Sequence, residues 1–329
     1  MADEKTIDLI GVGSPVVDTL ARVSEAFLDE VPGDKGGMEL VDSDALKALA
    51  DKLGDSGEDA AGGSSGNTTF AAGRLGLRTA FLGTLGNDHY GAFYLNRFVE
   101  IEADVTRFKQ ANQPNGRCIS LVTPDSERTM RTDLGAAMTL SPEEVSEADF
   151  SGCRHAHIEG YLLFNRDLMR KVLDCAKAAG CTVSVDLASF EVVKAASDVL
   201  ETWLRDGVDI VFANEDEASA LFPDLGSDYE AMARKLAGLC IVGVVKLGKD
   251  GSLIAKGEEL HRIGADVVKA VDTTGAGDYW AGGFLYGYLR GKDLPTCGKY
   301  GSMLGAEVVQ VIGASLPETR WEALVAMVG

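Results

Sequence analysis

The stretch Val271-Asp272-Thr273-Thr274-Gly275-Ala276-Gly277-Asp278-Tyr279-Trp280-Ala281-Gly282-Gly283-Phe284 is the most informative part of the chain. Two glycines and an alanine precede a run in which Trp280, Phe284 and Tyr288 recur at helical spacing, so a helix begins just before Asp278. The first amides of a helix lack intrahelical acceptors, and small residues leave them uncovered. Gly275, Ala276, Gly277 and Asp278 are therefore expected to present their N–H groups outward as an anion nest. Asp278 falls in the first turn, where an acid often does no more than complement the helix dipole. The same helix also carries Gly282, Gly283 and Gly287, each unfavourable in a helix interior unless a neighbour approaches closely. A carboxylate beside an anion nest suits phosphoryl transfer to an alcohol: the acid takes the hydroxyl proton while the amides stabilise the moving phosphoryl group.

Upstream, strand and helix patterns alternate through His155 to Glu159, Leu168 to Ala179, Thr182 to Asp186, Val192 to Leu204, Val208 to Phe212, Glu217 to Leu221, Tyr229 to Leu236 and Ile241 to Lys246. This alternation predicts an α/β fold with a central, mainly parallel sheet flanked by helices, and places ligands at the C-terminal strand edge. Ile7 to Val12 reads as the first strand, Asn67 to Leu75 as a helix leading into strand Thr79 to Leu82, and the last third as mostly helical. Cys118 to Thr123 and Arg128 to Thr132, joined by Pro124-Asp125-Ser126-Glu127, read as a hairpin belonging to a small β appendage. The glycine-rich tract Ala60 to Gly66 is flanked so tightly by regular elements that it is expected to be backbone held close to a partner rather than a linker.

A length of 329 residues with 46% hydrophobic and 25% charged residues predicts either one large α/β domain or a domain with an appendage. The net charge of −20 has the wrong sign for nucleic acid or an anionic lipid surface, so neither is an expected partner. The six cysteines form no C-x-x-C pair and are expected to be reduced, buried thiols. Met1 to Thr6 lacks the basic and apolar segments of a secretory signal, and no run of about 18 apolar residues occurs, which predicts a cytoplasmic protein. His155 and His157 share a strand face without a third ligand at metal spacing, so they are read as packing or hydrogen-bonded residues.

Asp272-Thr273-Thr274-Gly275-Ala276-Gly277-Asp278 resembles the C-terminal signature of the ribokinase-like family, also called the phosphofructokinase B family of carbohydrate and nucleoside kinases. Gly62-Gly63-Ser64-Ser65-Gly66-Asn67, with Ala71 to Gly76 and Gly83 to Gly91, resembles its N-terminal signature. Asn214-Glu215-Asp216-Glu217 is similar to its Asn-x-x-Glu motif, and Lys246-Leu247-Gly248-Lys249-Asp250-Gly251 to its nucleotide-side turn. These matches fall in order over nearly the whole chain. The resemblance implies a single ribokinase-like domain over residues 1–329, with a β lid contributed by segments near 14–42 and 105–135. It implies ATP and Mg²⁺, with Asp278 as base and Gly275, Ala276 and Gly277 as anion hole. Asn214 and Glu217 would stand near the magnesium, and Lys246, Gly248 and Gly251 near the nucleotide. Taken alone, Asn214 and Glu217 also read as a helix cap and its capping-box partner. Asp272 and Thr274 match positions at which some members bind a monovalent cation, so potassium is a further candidate. Lid strands in this family either pair between subunits, giving a homodimer, or cover their own site.

For the acceptor, the resemblance places Asp18 on adjacent sugar hydroxyls with Gly62, Gly63 and Asn67 completing the site; a carboxylate and an amide suit a vicinal diol. Gly11-x-Gly13-Ser14-Pro15, Arg128 to Arg131, Leu134 to Ala137 and His157 to Leu162 are most similar to adenosine kinase-like members, although Ser14 stands where adenosine kinases usually carry Asn. Tyr161, at a strand end, is a candidate for stacking on a base. Arg128 and Arg131, read as sharing one strand face, are candidates for closing over substrate or phosphate. The expected function is ATP-dependent phosphorylation of the primary hydroxyl of an adenosine-like nucleoside. The alternatives are a kinase of ribose, fructose or a related sugar, and a non-catalytic nucleoside or sugar sensor.

Overall fold

The computed structural model describes residues 6–125 and 127–329; the expectations for Met1 to Lys5 and for Ser126 in the hairpin turn lie outside them. The chain opens with β1 (Ile7–Val12) and passes at once into β2 (Val16–Arg22), which leaves the main body. Helix α1 (Glu25–Leu28), β3 (Gly37–Leu40), α2 (Ser43–Leu53) and β4 (Gly57–Ala61) follow before α3 (Ser64–Arg74) and β5 (Thr79–Leu82) return to it. The short strand β6 (Thr84–Leu85), helix α4 (His89–Glu100) and short strand β7 (Lys109–Gln110) lead to the hairpin of β8 (Gly116–Val122) and β9 (Arg128–Asp133). Alternation then sets in with β10 (Cys153–Glu159), α5 (Arg166–Ala178), β11 (Thr182–Asp186), α6 (Phe190–Ala195), α7 (Leu200–Gly207) and β12 (Ile210–Asn214). It continues through α8 (Glu215–Leu221), α9 (Tyr229–Leu239) and β13 (Val242–Lys246) to a second hairpin, β14 (Ser252–Lys256) and β15 (Glu259–Ile263). Helices α10 (Ala276–Leu289), α11 (Leu294–Val308) and α12 (Glu318–Val328) close the chain.

The central sheet has the order β15-β14-β13-β12-β11-β10-β1-β5, parallel from β5 to β13 and antiparallel at the β14–β15 edge. Its strands other than the edge strand β15 are buried on both faces, and the period of two divides each of them between two helical layers. On β12, Val211 and Ala213 join the layer containing Val172, Met232 and Leu236, whereas Ile210 and Phe212 join the layer containing Phe70, Trp280 and Phe284. Helix α10 lies in this second layer, between α3 and α11. A Cβ on Gly282 would stand 2.9 Å from the Ala71 methyl, and one on Gly283 would stand 2.4 Å from the Tyr300 carbonyl oxygen. The glycines of α10 are therefore the condition for its close packing on both neighbours.

A separate five-stranded sheet, β3-β9-β8-β2-β4, forms the lid. One face carries Ala21, Ile119 and Leu121, packed on Leu28, Val31, Leu46, Leu49 and Leu53 of the helical segments. The lid thus takes in α2 and β4 as well as the segments near 14–42 and 105–135. Its outer face is covered by α2 of the same chain, and the opposite face, which carries Asp18, turns toward the body. The stretch expected as one helix from Val192 to Leu204 is two, α6 and α7, and Asp198 in the break pairs with Arg166 at 2.8 Å. All six cysteines are free thiols, five of them buried. Among the described residues no helix is long and apolar enough to cross a membrane.

Candidate active site

The C-terminal ends of β10, β11, β12 and β13 deliver Glu159, Asp186, Asn214 and Lys246 to one edge of the sheet. The N-termini of α3 and α10 arrive at the same edge. Gly275 caps α10 at φ 72°, a left-handed conformation that a side chain would strain, and Gly63 caps α3 at φ 82°. The two helix tips are joined through Asp278, whose carboxylate accepts from Ser64 Oγ at 2.8 Å and Asn67 Nδ2 at 2.9 Å. Thr68 Oγ1 donates to the Asp278 carbonyl at 3.0 Å. Asp278 is half-buried. Burial pushes its carboxyl up to about 6; the Asn67 and Ser64 donors pull it down, Asp186 adds to the rise, and Lys246 opposes it. A carboxylate in that range can act as a base near neutral pH.

The anion nest is smaller than the sequence suggests, because Ala276 N–H donates to the Thr273 carbonyl at 3.2 Å. That bond closes the turn into the helix and takes Ala276 out of the nest, leaving the amides of Gly275, Gly277 and Asp278 without a backbone acceptor among the described residues. Lys246 stands over this nest: its ammonium lies 2.9 Å from where a Cβ of Gly277 would be, and it donates to Asp186 Oδ2 at 2.6 Å. Burial alone would depress Lys246, but Asp186 and Glu217 outweigh it and hold the ammonium above its ordinary range.

Asn214 and Glu217 form a reciprocal capping box at the start of α8. Asn214 Oδ1 accepts from Glu217 N at 2.9 Å, Glu217 Oε2 from Asn214 N at 2.8 Å, and Glu217 Oε1 from Asn214 Nδ2 at 2.7 Å. Burial, with the charge of Asp186, raises the Glu217 carboxyl to about 7. The turn after β13 brings Gly248 (φ 50°) and Gly251 (φ 91°) to the same edge.

On the lid, Asp18 projects from β2 toward the body. Gly62 lies so close that a Cβ there would be 2.3 Å from Asp18 Oδ2. Burial raises the Asp18 carboxyl to about 7; Arg128 counteracts this, and Asp278 and Asp272 add to it, so all four charges share one cleft. Arg128 spans from β9 to the loop before α10, bonding Asp272 Oδ1 and Thr274 Oγ1. Asp272 also accepts from Thr274 N at 2.9 Å and Gly313 N at 2.8 Å.

Arg131 does not join the site. Residues three apart on a strand fall on opposite faces, so Arg131 points away from Arg128. It is buried, with Nε donating to the Pro32 carbonyl at 3.0 Å and Nη2 to the Asp34 carbonyl at 3.2 Å. It clamps the loop before β3. Tyr161 follows β10 and remains 45% exposed at the rim, within electrostatic reach of Glu159 and Asp278.

Sequence reasoning missed Ser64, Asp186 and Glu159. Glu159 is 1% exposed; its Oε1 accepts from Ser14 N at 2.9 Å and Ser14 Oγ at 2.6 Å, and the Ser65 backbone N–H also favours its charged form. Gly13 is required here because a Cβ would stand 2.2 Å from Glu159 Oε2. The signal for Glu159 and Asp186 was available: each is an acid closing an apolar strand at the edge where ligands bind. His155 and His157 are bridged by Ser184 Oγ at 2.8 Å from each ring, and burial holds both imidazoles well below their ordinary range.

A profile described as pfkB family carbohydrate kinase matches residues 40–321. The chain belongs to the pfkB family. A sugar kinase of uncharacterized specificity from Archaeoglobus fulgidus is 30% identical over 248 residues, covering 73% of this chain and 95% of that protein. Adenosine kinase of Saccharomyces cerevisiae is 28% identical over 336 residues, covering 96% of this chain and 98% of its own. The crystal structure of adenosine kinase from Sinorhizobium meliloti superposes with a TM-score of 0.85 at 33% identity, covering 98% of this chain and 99% of the other. As a pfkB family member with the ribokinase-like fold, the protein is an ATP-dependent kinase of a carbohydrate or nucleoside.

Proposed function

We propose that the protein transfers the γ-phosphoryl group of ATP to the primary hydroxyl of an adenosine-like nucleoside, with Asp278 as general base. The observation that carries the acceptor class is the composition of the lid face that holds Asp18. In the strand register Asp18 stands beside Cys118 and Thr132, and Met130 beside Ser120 and Met38, so these side chains share one face. Val16, Cys118 and Ala137 pack together there with Met130 and Leu134 against them, and the face continues into the exposed Met38 and Leu40. A nucleoside offers a vicinal diol for Asp18 and an apolar, flat base for that wall. A free sugar carries hydroxyls on every side and would leave the wall unmatched.

In this reading Asp18 and Asn67 fix the ribose, Ser64 and Asn67 orient Asp278, and Asp278 takes the proton of the attacking hydroxyl. The amides at Gly277 and Asp278 stabilise charge on the phosphoryl oxygens. Magnesium fits the donor set, since Glu217, Asp186 and Asn214 are oxygen ligands of the kind that Mg²⁺ prefers, and the ion would supply charge neutralisation of the ATP phosphates. Among the described residues no three His, Cys, Asp or Glu side chains gather about one point, so contact through water is the mode these residues support. At Asp272 and Thr274, the candidate ligands of a monovalent cation, the Arg128 guanidinium already supplies a positive charge bonded to both side chains. The full-length similarity to adenosine kinases supports the nucleoside reading. The sugar reading is favoured by the 30% identity to the A. fulgidus sugar kinase.

The test is ADP release measured against adenosine, other nucleosides, ribose and fructose. The expected result is a kcat/KM for adenosine at least 100-fold above that for ribose, about 3 kcal/mol of transition-state discrimination. Equal or better turnover of a free sugar would overturn the nucleoside reading and leave the kinase assignment standing.

A further inference from the structure

Arg128 begins β9 in the lid and reaches the main body, where its Nη1 bonds both Asp272 Oδ1 and Thr274 Oγ1 in the loop before α10. The Asp272 side chain is 7% exposed, and a carboxylate so far from water needs an opposite charge beside it. Among the described residues Arg128 is its one salt-bridge partner. The other donors are neutral: Thr274 N at 2.9 Å and Thr274 Oγ1 at 2.7 Å reach Oδ1, and Gly313 N at 2.8 Å reaches Oδ2. Thr274 Oγ1 gives its single proton to Asp272 and accepts from Arg128, so the guanidinium is bonded to both groups at once.

The same loop carries the nest. Asp272 N donates to the Val309 carbonyl at 3.2 Å, Gly313 N returns to the Asp272 carboxylate, and Thr274 leads directly into Gly275, the left-handed cap of α10. Whatever neutralises Asp272 therefore fixes the backbone that aims the amides of Gly277 and Asp278. An alkali cation on the oxygens of Asp272 and Thr274 would do this. Here it would stand against a guanidinium that already bonds both side chains, and like charges at such spacing repel. Arginine keeps its charge at any working pH, so titration does not clear the place. We propose that Arg128 is a built-in counter-ion, a positioning residue that takes the part of a monovalent cation at Asp272 and Thr274 and makes the kinase independent of potassium. The charge that organises the nest is thus carried by the lid, on the strand face that Arg128, Met130 and Thr132 share with Asp18. The inference rests on the kinase assignment, holds for either acceptor class, and departs from the potassium expectation drawn from the Asp-Thr-Thr-Gly-Ala-Gly-Asp signature.

The test measures ADP release and melting temperature for the wild type, Arg128→Met, Arg128→Lys and the double variant Arg128→Met with Asp272→Asn. Each is run without sodium, in tetramethylammonium chloride and in potassium chloride, both at about 100 mM so that screening is equal. The wild type should give kcat and kcat/KM within about twofold in the two salts. In tetramethylammonium, Arg128→Met should lose about tenfold or more in kcat/KM for ATP, because Asp272 is left without a partner charge. Potassium should restore at least about threefold of that loss and raise the melting temperature of this variant by about 2 °C or more, since the freed oxygens now bind the ion. Arg128→Lys should respond to potassium as little as the wild type. The double variant has no carboxylate to hold the ion and should not respond.

Activation of the wild type by potassium beyond about twofold overturns the inference. So does a folded Arg128→Met variant in which potassium restores less than about threefold, because the guanidinium then serves substrate or the lid alone. A double variant that responds as Arg128→Met does places the ion elsewhere and overturns it as well. If Arg128→Met folds in neither salt, the wild type and Arg128→Lys decide: a potassium response in either overturns the inference, and none in both supports it. A wild type that turns over no acceptor refutes the kinase reading, and the melting temperatures in the two salts still decide the role of Arg128.

Discussion

Replacing Asp278 by Asn removes the proposed base while preserving its shape. The new amide can turn its oxygen toward the Asn67 side chain and its NH₂ toward the Ser64 hydroxyl, which accepts as readily as it donates, so both contacts survive. Loss of the negative charge also relieves repulsion from Asp186. The variant should therefore fold and bind both substrates, and its defect should fall on kcat. A positioned general base contributes about 10²- to 10⁴-fold, or about 3 to 5 kcal/mol of barrier. The pH profile separates this from a generic defect. With its carboxyl raised to about 6, wild-type Asp278 is protonated and inactive as a base below that pH. The acceptor kcat/KM, which reports the free enzyme, should rise about tenfold per pH unit below 6 and level off above about 7. In the Asn variant that limb should vanish, leaving a low, flat rate. Stopped-time ADP release from about pH 5 to 8.5, with ATP saturating and the acceptor well below its KM, measures it. A variant within about tenfold of wild type near pH 8, or one that retains the limb near pH 6, refutes the assignment of Asp278 as base.

Glu159→Gln should change the pH dependence of stability. Burial raises the Glu159 carboxyl from 4.5 to about 7, despite the donors of Ser14. As pH rises from about 4.5, the unfolded chain loses this proton first, so the folded wild type loses stability until about pH 7. Glutamine does not titrate, and the variant should gain up to about 3 kcal/mol on wild type across that window, measured by urea unfolding at about pH 4.5 and 7.5. Parallel curves for the two proteins would refute the shift. Two glycine substitutions make opposite predictions. Gly283→Ala places a methyl 2.4 Å from the Tyr300 carbonyl oxygen and should cost about 1 to 3 kcal/mol, whereas Gly238→Ala in α9 meets nothing within 4 Å and should stabilise by about 0.5 to 1 kcal/mol. Equal effects in urea unfolding would mean that helix propensity, not the approach of α11, governs position 283.

The regular part of the fold and the chemical centre were legible locally. Strands β11 and β13 announced themselves as short apolar runs, because a sheet buried on both faces imposes its composition on the sequence. The Gly-Ala-Gly-Asp run was readable because a helix N-terminus that must stay uncovered tolerates few residue types. Helix α4 was harder to read, since its buried face is the narrow stripe of Gly91, Tyr94 and Phe98. The β14–β15 hairpin was harder still, its turn signalled by little more than Gly257 at φ 56°. The positions of charged side chains across the cleft were not readable at all. Nothing in the sequence near Arg131 says that it turns away to clamp the Pro32 carbonyl, or that Arg128 crosses to Asp272, 144 residues later.

Taken by itself, the sequence determined the layered α/β fold and the acid with its amides at the start of α10, because periodicity and helix-end chemistry act within a few residues. Only the tertiary structure decided which polar groups face one another: Lys246 with Asp186, Glu159 with Ser14, Asp278 with Ser64 and Asn67. Those pairings depend on how far each strand end and helix tip reaches toward a common edge, and that distance is set by the packing of the whole sheet and its lid.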